Sequence, residues 1–200
     1  MLTELFFRLT LLAVLLVTMS VAAYHRARAH SGEQFDRREE GLVLAVALRL
    51  AGAALWLLTL GYLIDPDWLT WAQLPLSARV RLLGVPVGIA GAGMMYWTLR
   101  ALGKNLTDTV APRADATLVT HGPYRYVRHP FYVTAALAML SVTLLSANAA
   151  IGLCGIVVMT LLVLRTPREE ARLLARFGEP YRAYRASTGA FFPRSGGPKG

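Results

Sequence analysis

The chain has 200 residues, of which 55% are hydrophobic and 16% are charged, and its 21 basic and 12 acidic side chains give a formal net charge of +9. Soluble domains contain about 25% charged residues, so this composition excludes an ordinary water-soluble enzyme and a disordered or collagen-like chain. The length allows about five membrane-spanning helices, since each needs roughly 20 apolar residues, and it leaves no room for a large soluble domain.

Three apolar stretches in the first half are long enough to cross a membrane. They are Leu5–Tyr24, Leu42–Ile64 and Leu82–Leu99. We interpret the first as an uncleaved span, because Glu4 interrupts the basic region with which a signal peptide begins. In the third, Gly84-x-x-x-Gly88 provides a face of small residues along which a neighbouring helix can pack closely.

The fourth apolar stretch is too long for a single span. Phe131–Leu164 contains no charged residue, and as one helix it would be about 51 Å long, whereas the hydrocarbon core is about 30 Å thick. We predict a turn at Ser146-Ala147-Asn148, which leaves two short spans of about 17 residues each. The predicted fold class is therefore an all-α integral membrane bundle with about five transmembrane helices.

The distribution of basic residues predicts the orientation of this bundle. The loop after the first span, the segment after the third and the tail after Leu164 are basic, whereas Asp65–Ala78 and the turn near Asn148 carry no Lys or Arg. Five crossings place all three basic segments on one side, so we expect them in the cytoplasm and the N-terminus outside. The excess positive charge then faces anionic membrane lipids and does not indicate a nucleic acid partner.

Composition divides the chain into three parts. Residues 1–99 form a transmembrane scaffold, residues 100–194 carry most of the polar, aromatic and charged side chains, and residues 195–200 form a tail that we expect to be disordered. Within the second part, Gly178 is a predicted helix stop and Pro180 starts a short amphipathic helix at the cytoplasmic interface. The Cys and His residues lack the spacing of a metal site, and Cys154 lies in an apolar run, where we expect it to serve packing.

Two polar segments flank the predicted hairpin, so they emerge together at its open end. The first ends in Arg128-His129-Pro130. Pro130 suits the first position of a helix, which places His129 near the N-cap, where free N–H groups attract an anionic group. We expect Arg128 and Arg125 either to reinforce such a site or to contact lipid phosphates.

The second polar segment contains two adjacent carboxylates, Glu169 and Glu170. Thr166-Pro167 fits a helix start with Thr166 as the cap, and ion pairing with nearby arginines is the simplest role for the two acids. Alternatively, a cationic helix N-terminus facing two carboxylates suits a ligand that has a carboxylate together with a positive charge or hydroxyl groups. Arg165 needs an anionic partner at the end of a span, either a substrate carboxylate or a lipid phosphate.

Several of these elements recur in a fixed order. They are Gly103-x-Asn105, Leu118-Val119-Thr120, Gly122-Pro-Tyr-x-x-x-Arg-His-Pro-x-Tyr132, the hydrophobic hairpin, Arg165-Thr166, Glu169-Glu170-x-x-Leu173 and Phe177-Gly-Glu-x-Tyr181-x-x-Tyr184. This order resembles the isoprenylcysteine carboxyl methyltransferases and the related integral-membrane phospholipid methyltransferases. The similarity covers about residues 96–193, roughly half of the chain, and the first two spans show no match.

The resemblance implies methyl transfer from S-adenosyl-L-methionine in a cytoplasm-facing site, with a lipid or isoprenylated substrate entering sideways from the bilayer. Carboxyl O-methylation is the closest form. The resemblance places Arg165 near the substrate carboxylate, with assistance from Asn105, and makes these the catalytic residues. The cofactor-binding residues that it implies are Leu118, Val119, Tyr124, Arg128, His129, Tyr132, Glu169, Glu170 and Tyr181.

Three alternative functions stay open at this point. The first is N-methylation of a phospholipid headgroup. The second is an NADPH-dependent membrane reductase, although such enzymes typically carry Asn where this chain has Phe131. The third is a non-enzymatic membrane scaffold or carrier, in which His129, Glu169 and Glu170 would lie apart.

Overall fold

The structure, a computed structural model, describes residues 3–29, 42–103 and 117–194, so that Asn105 and the tail 195–200 lie outside the described residues. Within these ranges every regular element is helical, which confirms the predicted all-α fold. The α-helices are α1 (Glu4–Ala29), α2 (Leu42–Ile64), α3 (Ala78–Leu82), α4 (Gly84–Leu102), α5 (Pro130–Ser146), α6 (Ala149–Phe177) and α7 (Glu179–Ser187). Short 3₁₀ segments cover Pro66–Ala72 and Gly122–Arg125.

Among the described residues, four helical segments are long and apolar enough to cross a membrane. They are Glu4–Arg28, Leu42–Ile64, Ala78–Leu102 and Ala149–Phe177. The remaining apolar helix, α5, has 17 residues and is therefore about 26 Å long. It packs between α4 and α6 and also contacts α1. The chain is an integral membrane helical bundle, and the predicted count of about five corresponds to four long helices and one short one.

The predicted face of small residues on α4 packs against α5. A methyl group at Gly84 would lie 2.7 Å from Leu145 Cγ and 3.0 Å from the backbone oxygen of Ser141, and one at Gly88 would lie 2.7 Å from Ser141 Oγ. The Ser141 hydroxyl donates a hydrogen bond of 2.7 Å to the Gly84 carbonyl. Close contact between the two backbones therefore requires glycine at these positions, as the GxxxG spacing predicts.

The hairpin turn lies where the sequence predicts it. α5 ends at Ser146, Ala147 adopts a left-handed conformation with φ 48°, and Asn148 caps α6. The Asn148 side chain accepts hydrogen bonds from the backbone N–H groups of Ala150 and Ile151 at 3.1 and 3.2 Å. Its Nδ2 donates to the Leu69 carbonyl at 2.9 Å, which joins the turn to the 3₁₀ segment.

The predicted helix start at Thr166-Pro167 is wrong, because α6 continues without a break to Phe177. The Thr166 hydroxyl donates to the Leu162 carbonyl at 3.2 Å instead of capping a new helix. Leu162, Thr166 and Glu170 recur at intervals of four and are all buried, so the packing of this face offsets the lost backbone hydrogen bond and the steric clash that a proline causes inside a helix. As a consequence Arg165 and Glu169 lie one turn apart on a single helix face.

The end of the bundle opposite Pro130 is closed by a buried polar cluster around Arg81. Its guanidinium donates from Nη1 and Nη2 to the two oxygens of Glu4 at 2.7 and 2.8 Å. It also donates to the Leu145 carbonyl at 2.7 Å and to the Tyr62 hydroxyl at 2.9 Å. The ring of Phe7 lies 3.8 Å from the Arg81 Cζ atom. This cluster joins α1, α2, α3 and α5 and leaves the other end of the bundle for the candidate site.

Candidate active site

The candidate site forms where α5 begins and the last turns of α6 end. Arg128, two residues before α5, donates from Nε and Nη2 to Glu170 Oε1 on α6 at 2.9 and 2.7 Å. Both side chains are almost buried, with exposed fractions of 11% and 8%. The structure thus brings together the two polar segments that flank the hairpin. Their contact is a direct ion pair, so the Arg128 charge is neutralised by Glu170.

At the start of α5, His129 and Tyr132 contact the carboxylates of Glu170 and Glu169 on α6. His129 is the N-cap residue and Pro130 follows at the first helical position, as predicted. His129 Nε2 lies 3.2 Å from Glu170 Oε1, and the Tyr132 hydroxyl donates to Glu169 Oε2 at 2.7 Å. The two rings stack with their centroids 5.4 Å apart and their planes inclined by 14°, so one aromatic pair holds both acids.

The two glutamates differ in whether a carboxylate oxygen is available to a ligand. Glu170 is engaged on both oxygens, since Arg185 Nε of α7 lies 3.1 Å from Oε2 and Oε1 faces Arg128 and His129. Glu169 bonds through Oε2, whereas its Oε1 lies 3.9 Å from His129 Nδ1, beyond hydrogen-bond distance. The Glu169 side chain is also more exposed, at 27%. Glu170 is therefore a structural centre, and Glu169 offers an acceptor oxygen to a ligand.

Tyrosines of α7 and of the Gly122–Arg125 turn lie on a second side of the candidate site, which we call the tyrosine wall. The Tyr184 hydroxyl donates to the Tyr124 carbonyl at 2.6 Å. The Tyr181 side chain is 1% exposed, and its hydroxyl has no hydrogen-bond partner among the described residues. Burial and the charge of Glu170 raise the pKa of Tyr181 to about 12, so the hydroxyl stays protonated. A buried hydroxyl without a partner costs about 1–3 kcal/mol, which a bound polar ligand would offset.

Burial also affects the other two tyrosines of this wall. It raises the pKa of Tyr124, with a further contribution from the charge of Glu169. It raises the pKa of Tyr184 in the same direction. All three phenols are therefore neutral hydrogen-bonding groups at physiological pH, and the carboxylates carry the negative charge of the site.

Some of the groups predicted to bind an anion at the start of α5 are engaged with other parts of the protein. The Arg128 guanidinium contacts Glu170 and the carbonyls of Arg185 and Thr188, and the Arg125 side chain is exposed. The backbone N–H groups of Arg128 and His129 donate to the carbonyls of Gly189 and Ala190 at 2.8 and 3.0 Å. Protein groups thus occupy these two backbone donors, which precede the first residue of α5, because the chain folds back over the helix start after α7.

Other predicted site residues have a looser connection with this cluster. Leu118 and Val119 are half-buried in the extended segment before the Gly122–Arg125 turn. Arg165 is half-buried on α6, one turn before Glu169. Asn105 lies outside the described residues, so its role stays a prediction.

Sequence reasoning missed the contribution of Arg185 on α7 and of the segment that follows this helix. Arg185, the carbonyl groups of residues 188–190 and the ring of Phe191 all contact the cluster. The paired aromatic residues at 191 and 192 are the one sequence signal for this contact, but no spacing rule connects them with the start of α5. Only the fold-back of the chain brings them there.

The family comparison covers the central part of this site. Residues 83–175 match the model of the family described as "Isoprenylcysteine carboxyl methyltransferase (ICMT) family". The match runs from the start of α4 almost to the end of α6 and includes both carboxylates and the start of α5. It confirms the resemblance found in the sequence. The residues of α7 and the segment after it lie beyond the match.

Two curated relatives are metal-resistance proteins by name. The "Cobalt-zinc-cadmium resistance protein CzcN" of Cupriavidus metallidurans is 32% identical over 125 residues, which cover 62% of this chain and 52% of the relative. The "Nickel-cobalt-cadmium resistance protein NccN" of Alcaligenes xylosoxydans xylosoxydans is 28% identical over 130 residues, with 65% and 54% covered. The chain therefore spans about half the length of the curated relatives it matches.

A solved structure shares the whole fold. The eukaryotic intramembrane Ras methyltransferase ICMT superimposes on this chain with a TM-score of 0.54 and 20% sequence identity. The superposition covers 98% of this chain and 73% of the other. The similarity therefore includes the first two helices, for which the sequence showed no resemblance, and it establishes the fold.

Proposed function

We propose that the chain is an integral-membrane methyltransferase that uses S-adenosyl-L-methionine and acts on a lipid or isoprenylated substrate, because residues 83–175 match the model of the isoprenylcysteine carboxyl methyltransferase family. The observation that carries the proposal is the convergence of Tyr132, His129 and the two glutamates at one end of the bundle. A scaffold or carrier has no need to bury such a cluster, because each buried charge must be paired at a cost in desolvation.

The residues present fit the cofactor. S-adenosyl-L-methionine carries an amino group and ribose hydroxyls that donate hydrogen bonds, together with a carboxylate and an adenine that accept them. Glu169 has an acceptor oxygen that lies outside hydrogen-bond distance of His129, and Tyr181 has a buried hydroxyl without a partner among the described residues. These two groups would hold the cofactor, while Arg128, His129 and Tyr132 fix the carboxylates. When bound, the cofactor supplies a methyl group on a positively charged sulfur.

Arg165 favours a carboxylate as the methyl acceptor. It lies one turn before Glu169 on the same face of α6, so its guanidinium can bind an acceptor carboxylate beside the cofactor through charge-assisted hydrogen bonds. The same positive charge would repel a protonated amine. We therefore propose carboxyl O-methylation ahead of N-methylation, with Asn105 as an assisting residue.

A lipid substrate would reach the site from the bilayer. α1 packs on α4 and α2 packs on α6, whereas α1 and α2 have few contacts with each other. They meet near Arg8, which donates to the Leu63 carbonyl at the end of the bundle opposite the site. Phe131, on the first turn of α5, is 38% exposed and provides an apolar surface beside His129. Apolar surroundings also exclude water, which favours a displacement between bound groups.

The orientation of the site is part of the proposal. The arginines of α6 that follow Leu164 and those of α7 lie at the same end of the bundle as the site. Because cytoplasmic segments are enriched in Lys and Arg, we place this end in the cytoplasm and the N-terminus outside.

The names of the curated relatives concern resistance to metal cations. Among residues 3–29, 42–103 and 117–194, no group of three or more His, Cys, Asp and Glu side chains is placed to hold a metal ion. The described residues therefore give a metal-binding function no support, and the proposal does not include one.

Calorimetric titration of the detergent-solubilised protein with S-adenosyl-L-methionine tests the proposal. We expect binding by the wild type and at least about tenfold weaker binding by Glu169→Gln, because the variant loses a charge-assisted hydrogen bond. Glu179→Gln is the matched control, since Glu179 lies on α7 with a side chain 74% exposed and should leave the affinity unchanged. A wild-type protein that is folded and releases no binding heat would contradict the proposal.

The acceptor is identified by incubating the protein with methyl-labelled cofactor and lipid vesicles that contain either a prenylated cysteine or a phosphatidylethanolamine. A carboxyl methyl ester releases labelled methanol in mild base, whereas an N-methyl group is stable. Label that resists base would support N-methylation and overturn the carboxyl assignment. Displacement of the cofactor by NADPH would instead favour the reductase.

A further inference from the structure

The chain after α7 folds back over the start of α5. Val127 and Gly189 form a parallel bridge, and the N–H groups of Arg128 and His129 donate to the carbonyls of Gly189 and Ala190. Arg128 Nη1 also donates to the carbonyl of Thr188. We refer to residues 188–192 as the C-terminal strap. It lies beyond residues 83–175, which match the family.

The turn within the strap requires a glycine. A Cβ atom at Gly189 would lie 1.9 Å from the backbone oxygen of Phe192 and 3.4 Å from the backbone nitrogen of Arg194. Neither atom can rotate away, because both belong to the backbone. The tight turn is therefore specific to glycine at this position, and the two phenylalanines that follow Ala190 lie in different environments.

The two phenylalanines of the strap are adjacent but differ in their contacts. The Phe191 ring lies 5.6 Å from the His129 ring and 6.1 Å from the Tyr132 ring, centroid to centroid, and its plane is inclined by 27° to that of Tyr132. It packs against the cluster of buried apolar residues around Val158. The Phe192 side chain is 81% exposed. Phe191 is thus the third ring of the aromatic group that holds both glutamates.

We propose that Phe191 is a positioning residue for the cofactor site. Its ring fixes the rotamers of Tyr132 and His129, and through the Tyr132 hydroxyl it sets the direction of the Glu169 acceptor oxygen. The backbone of the strap supports the same residues by pairing with Arg128 and His129. This inference rests on the proposed function, because it assigns the aligned carboxylate to S-adenosyl-L-methionine.

Four variants of the full chain test the inference: Phe191→Leu, Phe191→Tyr, Gly189→Ala and Phe192→Leu. We expect Phe191→Leu to weaken cofactor binding about 3- to 10-fold, the range that the loss of one or two aromatic contacts gives. Gly189→Ala should weaken it at least as much. Phe191→Tyr keeps the ring and should bind within about twofold of the wild type, and Phe192→Leu should bind as the wild type does.

A second measurement needs no cofactor. The chain has four histidines, so the ring signal of His129 can be identified in the NMR spectrum of histidine-labelled protein by its loss in His129→Gln. The neighbouring ring of Phe191 shifts this signal, so we expect it to move in Phe191→Leu and to stay in place in Phe192→Leu. Phe191→Tyr should restore a signal close to that of the wild type.

The two measurements separate the inference from the proposed function. Wild-type binding that Phe191→Leu leaves intact, or a His129 signal that does not respond to Phe191→Leu, overturns the inference. Equal loss of affinity in Phe191→Leu and Phe191→Tyr also overturns it, since the ring would then not be the cause. A wild type that binds no cofactor overturns the proposed function. If the His129 signal still moves only in Phe191→Leu, the contact by which Phe191 positions His129 is supported independently.

Discussion

Arg128 and Glu170 form a buried ion pair in which two guanidinium nitrogens donate to one carboxylate oxygen at 2.9 and 2.7 Å. The pair joins the segment before α5 to the last turns of α6, and His129 and Arg185 face the same carboxylate. Three positively charged or hydrogen-bonding groups thus converge on a single acid. Glu170 therefore organises the site, whereas Glu169, its neighbour in sequence, is the carboxylate that a ligand can reach.

Arg128→Met should destabilise this end of the bundle. Removal of one partner from a buried ion pair costs roughly 3–5 kcal/mol, and the cost should be smaller here because His129 and Arg185 still face Glu170. We expect a lower thermal midpoint in detergent and loss of cofactor binding. Arg125→Met is the matched control, because Arg125 lies three residues away with an exposed side chain, and it should change neither quantity. A stable Arg128→Met protein with unchanged affinity would show that the ion pair does not organise the site.

Tyr181→Phe should separate ligand binding from stability. The Tyr181 hydroxyl has no partner among the described residues, so its removal should leave the free energy of unfolding unchanged or raise it, while cofactor affinity falls about tenfold. Tyr184→Phe serves as the comparison. It removes the hydrogen bond to the Tyr124 carbonyl and should cost about 1 kcal/mol of stability. The inference from Tyr181 is wrong if its variant binds the cofactor normally.

Gly84→Ala should weaken the contact between α4 and α5. The added methyl group would meet Leu145 and the Ser141 backbone at 2.7 and 3.0 Å, and overpacking of this kind costs about 1–3 kcal/mol. Gly93→Ala on the same helix has nothing within 4 Å of the new atom and should be neutral or slightly stabilising. Unfolding in increasing SDS concentrations measures both. Equal stability of the two variants would contradict the packing argument.

Arg81→Met tests the polar cluster at the opposite end. Arg81 is buried and donates to Glu4, Tyr62 and the Leu145 carbonyl. Because the Glu4 side chain is 36% exposed, the loss of Arg81 should cost about 1–3 kcal/mol, mainly through the buried polar groups that it leaves without a partner. Cofactor affinity at permissive temperature should be unchanged, because the cluster lies at the far end of α5. The exposed neighbour Arg79 provides the control Arg79→Met, for which we expect a change within about 0.5 kcal/mol. A selective loss of affinity in Arg81→Met would indicate coupling between the two ends.

Local sequence patterns predicted much of the bundle. The range Leu42–Ile64 coincides with α2, Asn148 caps α6 and Pro130 starts α5. These features depend on hydrophobic length, on helix capping and on the missing N–H of proline, which act within a few residues. The predicted helix start at Thr166 was wrong because its signals are equally local. The capping residue and the proline were present, but the packed face shared by Leu162 and Glu170 extends α6 through them.

By itself, the sequence determined that this chain is a helical membrane protein with a hairpin and that its polar residues gather at the open end of that hairpin. Apolar runs and charges specify such features without reference to distant parts of the chain. Only the tertiary structure decided that Arg128 pairs with Glu170, that Glu169 keeps an accessible oxygen, and that Phe191 stacks on Tyr132. Contacts of this kind depend on the path of the chain after α7, which brings together residues far apart in sequence and therefore leaves no periodic signal.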